Sequence, residues 1–357
     1  MTYYATVRYV IENVPSADEL RSISLRLYFK AWADTVGIIT EWEEYGSFLL
    51  DEAEDEDDDH SREWHAYIEA AQSDLQAIYT LIQQSQEIGL KATICEVSPF
   101  LLLKRSDVRP IDPVSGVWDF TDFPTIDPSE LVRVHNIFCS TTLSKEFQTQ
   151  YEEIRWNRNK ISHLGIYRER IDPDVIIDIL RRHYDELYQG RRWMEDRLHF
   201  ATLHRWVGYG DEDFNERTAL FNELWLLLPR LSDEQFKWMM GHDRAEPRYI
   251  CHHCAYDANL GTAQPYANDV PTAYRVEDKL AVECVICNKR YAIKPAKCPR
   301  DSCHCEFQSA EDRFEGQCME CGWTEEDWMQ DQIRKEEQQR QLNNFKSSKP
   351  SNGDDAV

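Results

Sequence analysis

Residues 64–97 read WHAYIEAAQSDLQAIYTLIQQSQEIGLKATICEV, and their apolar positions decide the fold class. Trp64, Ile68, Ala71, Leu75, Ile78 and Ile82 follow one another in alternating steps of four and three. An α-helix repeats about every 3.6 residues and a strand about every two, so these residues share one face of a long amphipathic helix. Apolar positions go on through Ile88, Leu90 and Ile94, and Pro99 ends the run.

The same spacing recurs on both sides. A helical pattern runs from Asp18 to Trp32. Leu143, Phe147, Tyr151 and Ile154 predict a helix over about 144–163, with Gly165 as its stop. Asp127-Pro128-Ser129-Glu130 reads as a helix start, with Asp127 as N-cap, Pro128 in the first turn and Glu130 as the reciprocal capping acid. Further helices are expected at 173–189, 191–206, 214–228 and 233–240, the last capped by Ser232 with Gln235 three residues on. Residues 4–14 are β-branched and aromatic and predict a short strand. Residues 106–126 read as a loop. The segment 51–59, DEAEDEDDD, holds eight acids and reads as a solvated loop or disordered insert.

Beyond Gly241 helical periodicity gives way to Cys, Gly, Pro and aromatic residues up to Trp323. The expected organisation is an N-terminal strand or extension (1–17), a helical domain (18–245), a small β-rich domain (246–323) and a charged tail (324–357). The tail is helical at first and ends without ordered structure in SSKPSNGDDAV.

The chain has 357 residues, of which 42% are hydrophobic and 12% aromatic, enough for a real core. No apolar run approaches the roughly 18–20 residues of a membrane-spanning helix. The start, MTYYATVRYVIENV, lacks the basic and apolar regions of a secretion signal. A soluble cytoplasmic protein with no membrane partner is expected. The net charge of −25 argues against a general polyanion binder, because such a surface repels nucleic acid on average. The charge is uneven, however. Residues 155–170 carry Arg155, Arg158, Lys160, Arg168 and Arg170 against one acid, and residues 289–300 carry Lys289, Arg290, Lys294, Lys297 and Arg300 against none. These two islands are the candidate RNA-binding surfaces, with Tyr291 as a candidate stacking platform. The plain alternative for the second island is a solvated β-hairpin.

Nine of the eleven cysteines fall between Cys251 and Cys321. Clustered C-x-x-C pairs in a chain without a secretion signal read as metal sites rather than disulfides. Paired in sequence order they give two four-thiolate sites, Cys251, Cys254, Cys284 and Cys287, then Cys298, Cys303, Cys318 and Cys321. Cys305 is the alternative to Cys303. An interleaved pairing, or replacement of a thiol by His252, His253 or His304, stays open. Two structural zinc ions are expected, since four thiolates leave no open position for water. The segment resembles tandem zinc ribbons over about 251–323, and such ribbons bind nucleic acid or protein.

Around residue 158 the chain reads EEIRWNRNKISHLG. An arginine followed five to seven positions later by a histidine occurs at Arg158/His163, Arg192/His199, Arg197/His204 and Arg248/His253. Only at Arg158 is the next residue polar, Asn159, and only there does the motif end a helix. Upstream, QSQEIGLKATICEVSPFLLLK carries E-x-x-x-K-A, and TIDPSELVRVHNIF precedes the motif helix. Over roughly 15–205 the chain resembles the HEPN-domain ribonucleases. That resemblance implies an HEPN-like helical bundle followed by the zinc-ribbon domain, with Arg158, Asn159 and His163 as catalytic residues. It further implies metal-independent endoribonuclease cleavage by 2′-OH attack at a composite site in a homodimer. A role in bacterial antiphage defence or as a toxin, with an antitoxin or regulatory protein as a further partner, is implied in the same way. The residue types suit the chemistry. Histidine exchanges protons near neutral pH, and arginine binds phosphate and stays charged. A second basic helix with Arg192, Arg197, His199 and His204 reads as a solvated face. The alternative function is a non-catalytic nucleic-acid- or protein-binding regulator.

Overall fold

The computed structural model describes residues 10–50, 56–104, 117–164, 170–202, 215–259, 270–276 and 280–347. Among them the chain is mainly helical and packs as two units, divided after Phe200. No helix among the described residues is long and apolar enough to cross a membrane.

The first unit is a helical bundle. Its helices are α1 (Ala17–Leu50), α2 (Glu56–Ala70), α3 (Gln72–Val97), α4 (Pro128–Phe138), α5 (Lys145–Leu164), α6 (Pro173–Leu187) and α7 (Trp193–Thr202), the last reaching past the division. The α1–α3 pair is the spine, and α4, α5 and α6 pack on α3. Small residues let the spine close. Ser24 Oγ donates to the Ser85 carbonyl at 2.6 Å and Ser85 Oγ donates to the Ser24 carbonyl at 2.7 Å. A Cβ on Gly89 would stand 2.9 Å from Leu187 Cδ1 and 3.0 Å from Ser24 Oγ. Around this contact Tyr28, Trp32, Leu75, Ile78, Ile82, Leu90, Phe147 and Tyr151 are buried.

Several elements differ from expectation. α1 extends well past Trp32, to Leu50. The continuous helix expected through Ala71 is two helices with a turn at that residue. The Gln72 side chain holds the break, donating to the Ile171 carbonyl and accepting from the Ile171 amide, both at 2.9 Å. Glu56–Asp59 of the acidic segment open α2; residues 51–55 lie outside the described residues. The Asp127 side chain does not cap α4, because it accepts from Lys104 Nζ at 2.5 Å instead. Within the expected loop, β2 (Val117–Asp119) pairs in parallel with β1 (Val10–Glu12), the described part of the N-terminal strand.

The second unit begins with α8 (Glu216–Leu227) and α9 (Asp233–Met240). Both were expected in the helical domain; they pack instead with the cysteine-rich region, so the division lies after 200 rather than near 245. Arg244 explains part of this, donating to the carbonyls of Leu228 and Leu231 between the two helices. The rest is α10 (His252–Ala258), a five-stranded antiparallel sheet and α11 (Glu325–Ser347). The sheet runs β3 (Arg248–Tyr249), β4 (Ala273–Arg275), β5 (Ala281–Cys284), β6 (Arg290–Pro295) and β7 (Phe307–Ser309) in chain order. The two expected ribbons therefore share one sheet, with β6 between their cysteine groups.

Candidate functional site

The cysteines form two clusters, Cys251, Cys254, Cys284, Cys287 and Cys298, Cys303, Cys318, Cys321, each with its sulfurs within 4.8 Å of one another. A tetrahedron with metal–sulfur bonds of about 2.3 Å has edges of about 3.8 Å. The sulfur pairs fit it: Cys251–Cys287 and Cys254–Cys284 at 3.8 Å, Cys298–Cys321 at 3.6 Å and Cys303–Cys318 at 3.7 Å. A disulfide needs about 2.05 Å. Backbone amides two residues on support the thiolates, with Ile286 N to Cys284, Arg300 N to Cys298 and Glu320 N to Cys318 all at 3.4 Å. The donor set fits a tetrahedral, thiophilic metal ion in each cluster.

Cys305 stays outside both clusters, buried and donating to the Phe307 carbonyl at 3.3 Å. The histidines also serve elsewhere. His252 is buried against the Phe314 ring, His253 Nε2 lies 2.6 Å from Glu311, and His304 is exposed. The His253–Glu311 contact links α10, which carries Cys254, to the loop that follows β7 and precedes Cys318. Ile250 N also donates to the Met319 carbonyl at 2.7 Å, so the clusters are tied by backbone as well.

Sequence reasoning missed three residues beside the sulfurs, one of them Thr272, whose Oγ1 lies 3.5 Å from Cys284 Sγ. Arg217 Nη1 on α8 donates to Cys254 Sγ at 3.4 Å, and Glu320 Oε2 lies 3.8 Å from Cys303 Sγ. Arg217 is 37 residues from its sulfur, and no local pattern marks it.

The second basic island is less free than its sequence implies. Arg290 pairs with Glu283 at 2.5 Å and Lys294 with Glu315 at 2.9 Å, acids that folding brings in from outside 289–300. Arg300 lies 4.7 Å from the Trp323 ring, while Lys289 and Lys297 are exposed. Tyr291 is no stacking platform. It is buried, its hydroxyl donates to the Ile250 carbonyl at 3.0 Å, and burial pushes its phenol well above the ordinary range. Period-two alternation along β6 was the available signal, since it turns Tyr291 inward with Ile293.

In the first unit, α5 carries the Arg158–His163 motif. Phe147, Tyr151 and Ile154 are its buried stripe, and Arg158 continues that stripe by the same steps. Arg158 is half-buried; Nη1 donates to Asn159 Oδ1 at 3.1 Å and Nε is buried without a partner. His163 is exposed in the last turn. At about 100° per residue the two side chains leave the helix roughly 140° apart. Asn159 and His163 share a side with Trp156, which is 62% exposed, and Lys160 Nζ lies 5.2 Å from the Trp156 ring. Arg155 pairs with Glu152 at 2.5 Å. Arg170 lies 3.9 Å from Asp172, and Arg168 is outside the described residues. In the E-x-x-x-K-A segment, Lys91 pairs with Glu87 at 2.7 Å. A groove of about 480 Å³ flanks α5, lined by Gln150, Glu153, Asn157, Val175, Ile179 and Arg182; neither Arg158 nor His163 lines it.

No protein-family model matches this chain, and comparison with curated proteins and with solved structures found no match either.

Proposed function

We propose that the protein is a metal-independent endoribonuclease of the HEPN type, working as a homodimer, with two structural zinc ions in the module that binds RNA or a partner protein. The observation that carries the reading is the stripe on α5. It presents an exposed imidazole at His163, with Asn159 and Lys160 beside it and an exposed Trp156 along it.

In this reading His163 takes the proton of the RNA 2′-OH as its oxygen attacks phosphorus. The bond to the 5′-oxygen breaks, and that oxygen takes a proton from His163 of a second copy, leaving a 2′,3′-cyclic phosphate. Arg158 neutralises the charge that builds on phosphate, and Asn159 holds its guanidinium through the Oδ1 contact. One chain supplies half of such a site, and a two-fold dimer supplies the rest. The zinc ions take no part in the reaction, since four thiolates leave no open position. A cytoplasmic setting and a role in antiphage defence or as a toxin accord with this reading.

The test is RNA cleavage in buffer free of added divalent ions, with wild type beside His163→Ala. The wild type is expected to leave cyclic-phosphate ends, and the variant to lose about 10²–10⁴-fold in rate. Intact RNA with both proteins overturns the enzyme reading. The roughly 140° between Arg158 and His163 on the helix favours a second reading, a non-catalytic binding regulator. Salt-dependent RNA binding without cleavage products is its expected result.

A further inference from the structure

The two thiol clusters have equal ligand counts and opposite surroundings. Four thiolates on one zinc ion leave a net charge of about −2, so groups placed against the sulfurs govern how firmly the metal is kept.

At the first cluster that group is a cation. Arg217 donates to Cys254 Sγ at 3.4 Å and is held there by Asp257, 3.6 Å away. The helix that carries Arg217 is itself fastened to α10, which follows Cys251. Asn215 Nδ2 donates to the Asp257 carbonyl at 2.7 Å, and Thr218 Oγ1 donates to the Ala258 carbonyl. Cys251, Cys254 and Cys284 are fully buried and Cys287 is partly exposed, as Cys321 is in the second cluster.

At the second cluster the neighbour is an anion. Glu320 Oε2 lies 3.8 Å from Cys303 Sγ, where metal-bound sulfur is a thiolate and the contact is repulsive. Among the described residues no lysine, arginine or histidine side chain donates to a sulfur of this cluster. Cys298 and Cys303 also reach solvent slightly, at 5% and 9% exposure.

We propose, resting on the reading that both clusters hold zinc, that the two metal sites are unequal. The first is a retained site in which Arg217 is the outer-sphere positioning residue, and the second is an exchangeable site destabilised by Glu320. Metal exchange at the second site leaves the first loaded, so the sheet keeps one anchor while the other turns over.

The experiment takes the full chain, loaded with zinc to two equivalents by elemental analysis, and adds excess pyridylazoresorcinol, whose colour reports released zinc. Wild type is expected to release one equivalent quickly and one slowly, with rates differing about tenfold or more. Arg217→Met should speed the slow phase about 10–100-fold and leave the fast phase alone. Arg217→Lys keeps the charge, so it should move the slow phase less. Glu320→Gln should slow the fast phase only. Release of both equivalents in a single phase overturns the proposal, as does an Arg217 variant that moves the fast phase instead. If Arg217→Met does not fold, the Arg217→Lys and Glu320→Gln rates still decide. A chain that cannot be loaded to two equivalents when zinc is supplied overturns the two-zinc reading itself, and that result is seen before any release is measured.

Discussion

The helical unit is held by buried aromatic and aliphatic bulk, whereas the metal unit adds two thiol clusters to a core of its own around Leu220, Phe221, Phe236, Val282 and Ile293. In the first, Tyr28, Trp32, Phe147, Tyr151 and a ladder of Leu and Ile meet across α1, α3 and α5. In the second, eight thiols gather in two groups of four, and the strands β3, β4 and β7 are only two or three residues long. Such short strands need a cross-link to hold register. The lesson of the difference is that one fold is spread over many interchangeable contacts, while the sheet of the other hangs in addition on eight particular side chains.

The strongest way to break this comparison is to take the metal away. Structural zinc contributes roughly 10–16 kcal/mol in small metal domains. Chelation is therefore expected to abolish the sheet while leaving the bundle folded. Hydrogen exchange resolved by segment checks it: Val282 and Ile293 should lose protection, and Ile82 and Leu90 should keep theirs. Equal loss in both units would mean that the division after Phe200 does not separate their stabilities.

Acid probes the bundle in turn. Burial pushes the pKa of His183 down from 6.5 to about 3. The unfolded chain therefore takes up a proton that the folded chain refuses, and stability is lost as pH falls from about 6.5 toward about 3. The full loss from this one residue is on the order of 5 kcal/mol. Protection factors in α3 and α6, taken relative to the intrinsic exchange rate at each pH, should fall across that range in wild type and fall less in His183→Gln. Parallel curves for the two proteins would assign the acid response to other groups.

A smaller effect is expected at the α1–α3 contact. Gly89→Ala places a methyl 2.9 Å from Leu187 Cδ1 and 3.0 Å from Ser24 Oγ. Leu187 can shift in part, so a cost of about 1–3 kcal/mol is expected in the bundle's denaturation midpoint. An unchanged midpoint would show that the spine has room to spare.

The two units were also legible to different depths. Steps of three and four put Ile68, Leu75, Ile78 and Ile82 on the face that the structure buries, because helical burial follows local period. The break at Ala71 was not legible, since the Ile171 backbone that holds Gln72 is 99 residues away. In the metal unit, thiol spacing carried the clusters, because two cysteines two residues apart reach one ion whatever surrounds them. The cation beside the first cluster came from tertiary contact, whereas Glu320 lies inside the Cys318–Cys321 pair, where sequence already places it. Arg217 sits on a helix that sequence reasoning gave to the other domain, and Glu283 and Glu315 meet the basic island from beyond its ends. Charge counted along a segment missed charge that folding supplies across it.

The smallest expected effect tests whether the metal unit contains any structure of the bundle's kind. α9 is bounded by local devices alone. Ser232 Oγ accepts from Gln235 N at 3.2 Å, the Ser232 amide donates to Gln235 Oε1 at 2.9 Å, and Gly241 closes the helix at φ 71°. None of these groups touches a cysteine sulfur. Ser232→Ala should therefore cost about 1 kcal/mol in the unit's denaturation midpoint, the ordinary value of an N-cap, with zinc release at wild-type rates. If the same substitution speeds zinc release tenfold, α9 belongs to the support of the first cluster through its connection to α8 and Arg217. The metal unit would then be one cooperative shell around its sulfurs, with no independently held helix within it.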